Sequence, residues 1–560
     1  MNHVYARRGA REYFWFTLAL MVLLTASAAR AAAPDDAAPS ATAPQKKPVP
    51  RKKPTIEELE QRIQLLEQKL EAQQQATSAA LQSASAAQTA ASAAQSSATA
   101  ARQAAAVASA APVSTATPAQ QQHPVTEQQA ASATVSNPQI FAGPGGFSFQ
   151  SADGANQIRF HGEFDFDGRF YDDNLTPDGS RSTWLLRRAR PIVEGTFANI
   201  FDFRFNPDFA GGKTVIQDAF VAARFNPLFV VTAGKFKEPF GLERLQLSPN
   251  NEFIELGLPS DLVPNRDLGI QVSGTWAFNS GTLTYQVGYF DGVVDGVSTD
   301  SNSTPDVDNN DKKDLVARVF TQPFLTSGLP GLKGLGAGVA VSYVNEVGSS
   351  TNTLLPTYKT ETQRSFFSYY APTTASGTAA SGGTIANGER LRISPQAFYY
   401  YKSFGLLSEY VGETQDVSRT LGAGATALTR RAALKPDSWQ LMATYLVTGE
   451  DGTFGTVVPN RPFAVGQPGW GAVEVAARVS ELSLDSGTFT DVKGVVDSWF
   501  ANPDSQASKA VAWTLGVNWY LTQNVEWVLN YTTTRFDGGA PDGRDRADER
   551  AFFTRFQVAF

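Results

Sequence analysis

Between Ile158 and Phe170 the chain alternates without a lapse. Ile158, Phe160, Gly162, Phe164, Phe166, Gly168 and Phe170 take one parity, and Arg159, His161, Glu163, Asp165, Asp167 and Arg169 take the other. Successive side chains of a strand point to opposite faces, so this strand has one aromatic face and one ionic face. A soluble sheet has no use for so sharp a division. A transmembrane barrel requires it, because one face meets hydrocarbon and the other a water-filled lumen. The pattern recurs down the chain and closes on Arg555-Phe556-Gln557-Val558-Ala559-Phe560.

Composition narrows the class further. The chain has 560 residues, 42% of them hydrophobic, and no cysteine. Internally it offers no run of the roughly 20 apolar residues that a membrane helix needs, so strands must carry the membrane. Absence of cysteine suits an oxidising periplasm and removes thiolate metal sites and nucleophiles. Net charge is −7, and the only basic cluster lies near the N-terminus. A nucleic-acid partner is therefore not expected. His161 is the one histidine of the barrel region. It would have to be a general base, and no serine motif accompanies it. Neither an enzyme nor a cofactor is expected.

Ahead of the barrel the sequence is segmented. Residues 1–31 read as a signal peptide, with Arg7, Arg8 and Arg11 before an apolar stretch from Phe14 to Leu24 and cleavage after Ala31. Residues 32–54 form a basic, Pro-rich linker, a solvated tether or a contact for an acidic periplasmic polymer. Thr55-Ile56-Glu57-Glu58 is a capping box. Ile56, Leu59, Ile63, Leu66 and Leu70 follow a and d spacing, and an Ala/Ser/Gln heptad continues from Ala84. The expectation is a periplasmic α-helical coiled coil over 55–111. The alternative is a low-complexity linker with only the first heptads helical. Such a coil could brace the outer membrane against peptidoglycan. Pro112, Pro118, Pro124 and Pro138 mark a second linker, 112–156. Residues 157–560 then suit an all-β barrel of about 16 antiparallel strands.

Within the barrel, basic residues recur on lumen parity. Arg188 and Arg190 share a face with Glu194; Arg204 alternates with Phe203 and Phe205; Arg224 shares a face with Asp218; Lys235 and Lys237 share another. Arg187 falls on the lipid parity, which calls for a bulge, a protomer interface or a position outside the hydrocarbon. The stretch from Glu238 to Pro264 alternates little, carries Pro239, Pro249, Pro259 and Pro264, and is apolar at Leu245, Leu247, Phe253, Ile254 and Leu256. It predicts a loop, about 239–265, folded into the barrel. Glu474 and Arg478 share a lumen face, and Trp519 and Trp527 fit an interfacial girdle. Acidic segments 306–314 and 542–549 are expected outside the cell, where divalent ions could bridge them to lipopolysaccharide.

Several segments occur together and in order: Arg187-Arg188-Ala189-Arg190-Pro191-Ile192-Val193-Glu194-Gly195-Thr196-Phe197, Asp202-Phe203-Arg204-Phe205, Gly234-Lys235-Phe236-Lys237-Glu238-Pro239-Phe240-Gly241-Leu242-Glu243-Arg244, Pro264-Asn265-Arg266-Asp267 and the C-terminal hexapeptide. In these the chain resembles the phosphate-selective porins of the O/P type. The resemblance implies a homotrimer of 16-stranded outer-membrane barrels, each with a pore narrowed by an inward loop after Gly241. It implies passage of small anions past a constriction whose arginines are among Arg187 and Arg188. Phe556, Val558 and Phe560 resemble the signal read by the barrel assembly machinery. The expected ion-pathway residues are Arg187, Arg188, Arg190, Arg204, Arg224, Lys235, Lys237, Arg244 and Arg266. The family's arginine ladder is represented only by the pairs Arg188/Arg190, Arg390/Arg392 and Arg544/Arg546. A sugar or another small organic solute is the alternative cargo, with Tyr399, Tyr400 and Tyr401 as stacking surfaces.

Overall fold

The structure is a computed structural model that describes residues 138–172, 181–212, 214–292, 311–372, 382–422, 427–495 and 497–560. The chain divides into units 1–129 and 130–560. The expected signal, basic linker and coiled coil, with Ile56, Leu59, Ile63, Leu66 and Leu70, lie outside the described residues, as do 306–310 of the first acidic segment.

Sixteen strands form the wall: β1 Gln157–Tyr171, β2 Thr183–Phe197, β3 Phe201–Asp208, β4 Val215–Asn226, β5 Phe229–Lys237, β6 Arg266–Phe278, β7 Gly281–Phe290, β8 Asp314–Gln322, β9 Gly334–Val347, β10 Thr384–Tyr401, β11 Phe404–Leu421, β12 Leu428–Leu434 with Asp437–Leu446, β13 Ala472–Ser483, β14 Ala507–Thr522, β15 Val525–Ala540 and β16 Glu549–Ala559. Each pairs antiparallel with the next, and β16 pairs with β1, so the sheet has closed on itself. Closure satisfies every ladder of the wall, the condition for crossing hydrocarbon with strands. β12 is broken where Pro436, which has no N–H for the ladder, follows Lys435.

The alternation seen in the sequence becomes the two sides of the wall. Phe164 is 45% exposed on the outer side, and Asp165 beside it is 0% exposed on the inner side. Across the closing seam Arg555 sets its fork on Asp167, with Nε and Nη2 at 2.7 and 2.9 Å from the two carboxylate oxygens. Phe560 exchanges backbone hydrogen bonds with Gly162 at 2.9 and 3.0 Å.

Two placements differ from plain alternation. Asp165 pairs with Arg188 but Phe166 pairs with Leu186, so Arg187 is the extra residue of a β-bulge. The bulge turns Arg187 inward beside Arg188 and leaves Leu186 on the lipid side. In β5 the expected parity is reversed. Phe236 packs inward on Phe220 and Phe290, and Lys235, on the opposite parity, is buried, paired in register with Ala219 and Leu268. Lys237, at the strand end, still reaches the lumen and donates from Nζ to the Gln246 carbonyl at 2.5 Å.

Several of the described segments fold against or into the lumen. Residues 238–265, between β5 and β6, lie inside the barrel with Phe240, Leu242, Leu258, Leu262 and Val263 buried. From the same end, the segment between β9 and β10 sends in a hairpin, Thr357–Lys359 with Ser365–Ser368. From the opposite end, residues 447–471 between β12 and β13 stack Phe454 on Phe398. The segment expected as a second linker also contains structure. Gln139–Gly143 and Gly146–Gln150 form a hairpin whose second strand pairs with the start of β1. Its alternation of Phe147 and Phe149 with Ser148 continues the outward pattern of the wall.

A Cβ on Gly162 would lie 2.7 Å from the Phe560 ring. Gly162→Val should therefore displace the C-terminal strand end and lose most of the compact, heat-modifiable form in electrophoresis of unboiled protein. Gly145→Val, where nothing lies within 4 Å, should retain it. Equal folded fractions in the two variants would refute this account of the seam.

Candidate functional site

An irregular loop inside a barrel must find partners for its backbone, and the lumen wall supplies them. Gln396 donates to the Phe240 carbonyl at 2.8 Å, Asn518 to that of Glu252 at 3.0 Å and Gln557 to that of Pro249 at 3.1 Å. The Ile254 N–H donates to Asn530 Oδ1 at 2.8 Å, and the Leu242 N–H to Glu409 at 2.7 Å. Polar lumen residues that read as solvated in the sequence are thus the loop's seat.

Arg478 of β13 joins the two inserts that enter from one end. Its guanidinium donates to Glu243 at 2.7 Å and to the Glu255 carbonyl at 2.9 Å, both on the 238–265 loop. It also pairs with Glu361 of the second insert at 2.8 Å and lies over the Phe253 ring at 4.5 Å. Glu361 accepts from Ser480 and Thr514 of the wall. Thr360 and Thr362 donate to Glu549 at 2.7 and 2.8 Å. The inserts touch directly where the Lys359 N–H donates to Asp261 at 3.0 Å.

Between these inserts and strands β2, β5 and β6 lies a small cavity of about 120 Å³. Arg187, Arg188, Arg190, Lys237, Arg244, Arg266 and Lys359 line it, against Glu255 and Asp261. Burial pushes the Asp261 carboxyl well above its usual range, against the pull of the Lys359 N–H and the Arg244 and Lys359 charges. Other acids sit behind the arginines and orient them. Arg188 bonds Asp165 at 2.6 Å, Arg190 bonds Asp208 at 2.7 Å and Glu163 at 3.2 Å, and Arg266 bonds Asp218 at 2.8 Å. Arg244 donates to the Ser260 carbonyl at 2.7 Å. The arrangement holds planar forks in fixed directions around a space fit for a small oxyanion.

The small cavity adjoins a larger one at each end. Toward the inserts, a cavity of about 280 Å³ shares Arg187, Lys359 and Gln363 with it. Toward the C-terminal residue Phe560, a vestibule of about 680 Å³ shares Lys237, Ser248 and Arg266. Of the expected pathway residues, Arg187, Arg188, Arg190, Lys237, Arg244 and Arg266 line the small cavity. Arg204 lines the vestibule, bonded to Glu194 at 2.9 Å. Arg224 lies near the β2–β3 turn, bonded to the Asn199 carbonyl at 3.2 Å. Lys235 is buried and lines none of the three cavities. The Arg390/Arg392 pair is buried against Asp314. Lys359 was missed by sequence reasoning. Its hairpin lies in a long loop, where no strand parity indicates an inward side.

The family model for phosphate-selective porin O and P matches residues 156–560. The chain belongs to this porin family. Among solved structures, the outer membrane channel DcaP of Acinetobacter baumannii is similar at 12% identity over 75% of this chain and 100% of that one, with a TM-score of 0.43. The anion-selective porin from Comamonas acidovorans is similar at 13% identity over 72% and 100%, with a TM-score of 0.38. The OmpT protein of Vibrio cholerae is similar at 11% identity over 72% and 98%, with a TM-score of 0.41. Comparison with curated proteins gives no match. As a porin of this family the chain is an outer-membrane channel.

Arg478→Ala should leave Glu243 and Glu361 buried without their cation, at a cost of about 3–5 kcal/mol. The inserts then loosen, and single-channel records should show added open-channel noise and substates. A record as quiet as that of the unaltered porin would show that Arg478 does not hold them.

Proposed function

We propose that the porin passes small anions, phosphate and related oxyanions among them, through the narrow basic cavity. The observation that carries this reading is its lining, seven cations against two acids, in the smallest of the three cavities. Arginine suits the task because its fork meets two oxygens of a phosphate at once. Conduction also requires release. The acids behind Arg188, Arg190 and Arg266 moderate the attraction and keep each site weak. The cavities at either end share cations with the narrow section, so an ion can pass between neighbouring sites without crossing a neutral gap.

The same reading places the porin in a homotrimer, as the family resemblance implies, with lipid and lipopolysaccharide around it. The barrel assembly machinery would read its C-terminal Phe556, Val558 and Phe560. The N-terminal segment, with its basic linker and heptads, would lie in the periplasm and reach peptidoglycan.

The test is the reversal potential of purified porin in a planar bilayer under a potassium chloride gradient, with phosphate then titrated in. The reading predicts an anion-directed potential and block of the chloride current by phosphate. Arg187→Ala should lower the anion-to-cation permeability ratio roughly fivefold, the worth of one charge at about 4 Å in water. A cation-directed potential in the unaltered porin would overturn the reading.

A further inference from the structure

Below the basic section the lumen changes character. Leu247, on the inserted loop, is 56% exposed, and Val458, on the segment rising from the opposite end, is 57% exposed. Both line the 680 Å³ vestibule, together with Phe220, Phe236 and Leu245. These residues lie inside the wall, where exposure gains no contact with lipid. The two segments are tied to one another, with Gln246 donating to the Phe454 carbonyl at 3.3 Å and Thr456 to Asn250 at 3.0 Å. Leu247 and Val458 are therefore held at the passage rather than packed away. Of the vestibule's four acids, Glu163 bonds Arg190 and Ser248, Glu194 bonds Arg204 and His161, Asp218 bonds Arg266, and Glu526 accepts from the Gln557 amide at 3.0 Å.

The apolar surface begins where the basic one ends, since Lys237, Ser248 and Arg266 line both cavities. The two differ in capacity. A space of about 120 Å³ takes a carboxylate or phosphate head with a few waters, at about 30 Å³ each. A space of about 680 Å³ is within the range of small-molecule pockets, about 300–1,000 Å³. Bare phosphate has no use for exposed leucine and valine. A molecule with an anionic head and an apolar body uses both surfaces at once.

We infer that the channel favours organic anions with an apolar body, the head held among Lys237, Arg190 and Arg266 and the body lying on Leu247 and Val458. This rests on the anion-channel reading above and adds the class of cargo. Inorganic phosphate remains a permeant ion that uses only the basic part.

The probes are acetate and hexanoate, which carry the same charge and differ only in methylenes. Each is titrated into the chloride current of the full-length porin in a planar bilayer at neutral pH. Hexanoate should block at roughly tenfold lower concentration than acetate, the effect of one to two methylenes leaving water. Leu247→Ser should erase the difference in the same bilayer, which separates a pore effect from partitioning of hexanoate into lipid. Val458→Ser is the second variant should Leu247→Ser fail to fold, with the same expected loss. Equal block by the two acids, with the anion-directed potential retained, would overturn the inference and leave the anion channel standing. A difference that persists in both variants would place it in the lipid and overturn the inference equally. A cation-directed potential would instead strike the underlying reading.

Discussion

At membrane depth every backbone N–H and carbonyl needs a partner within the protein, and the rest of this structure depends on that constraint. It closes sixteen strands into one sheet, because an open edge would face hydrocarbon. It also governs what can lie inside. The 238–265 loop is irregular, and it persists in the lumen because Gln396, Asn518, Asn530 and Gln557 take up its backbone groups. The polar inner face is thus a scaffold as well as a water-facing wall.

Charge then fixes what the scaffold has placed. Arg478 holds Glu243 and Glu361 from separate inserts at 2.7 and 2.8 Å. A buried ion pair of this kind contributes little net stability but is costly to break. Its value here is positional, since it sets two loops on either side of one passage. The same logic applies to the arginines of the narrow section. Their acid partners fix the direction of each fork.

Much of this was legible in the sequence. The strict parity of 158–170 identified the barrel, length suited about sixteen strands, and the family resemblance implied that number. The poverty of alternation between Glu238 and Pro264 located the inserted loop. What parity could not supply was its own interruption. Arg187 violated the pattern, and the bulge opposite Asp165 and Phe166 resolved the violation by turning two consecutive arginines inward. In β5 the three-phenylalanine contact of Phe236 with Phe220 and Phe290 decided the inward side, and Lys235 took the opposite parity. Lys359 was invisible because its side is set by contact between two loops, at Asp261. The sequence offered only fragments of an arginine ladder. The structure instead gathers cations from β2, β5, β6 and both inserts, a convergence that no run along the chain displays.

The central claim is that anions pass through the narrow section bounded by those cations. Anomalous diffraction from crystals of the porin grown in bromide tests it most directly. The account predicts a bromide peak inside the cavity lined by Arg187, Arg190, Arg244 and Arg266. Bromide peaks confined to other surfaces, with that cavity holding none, would contradict it.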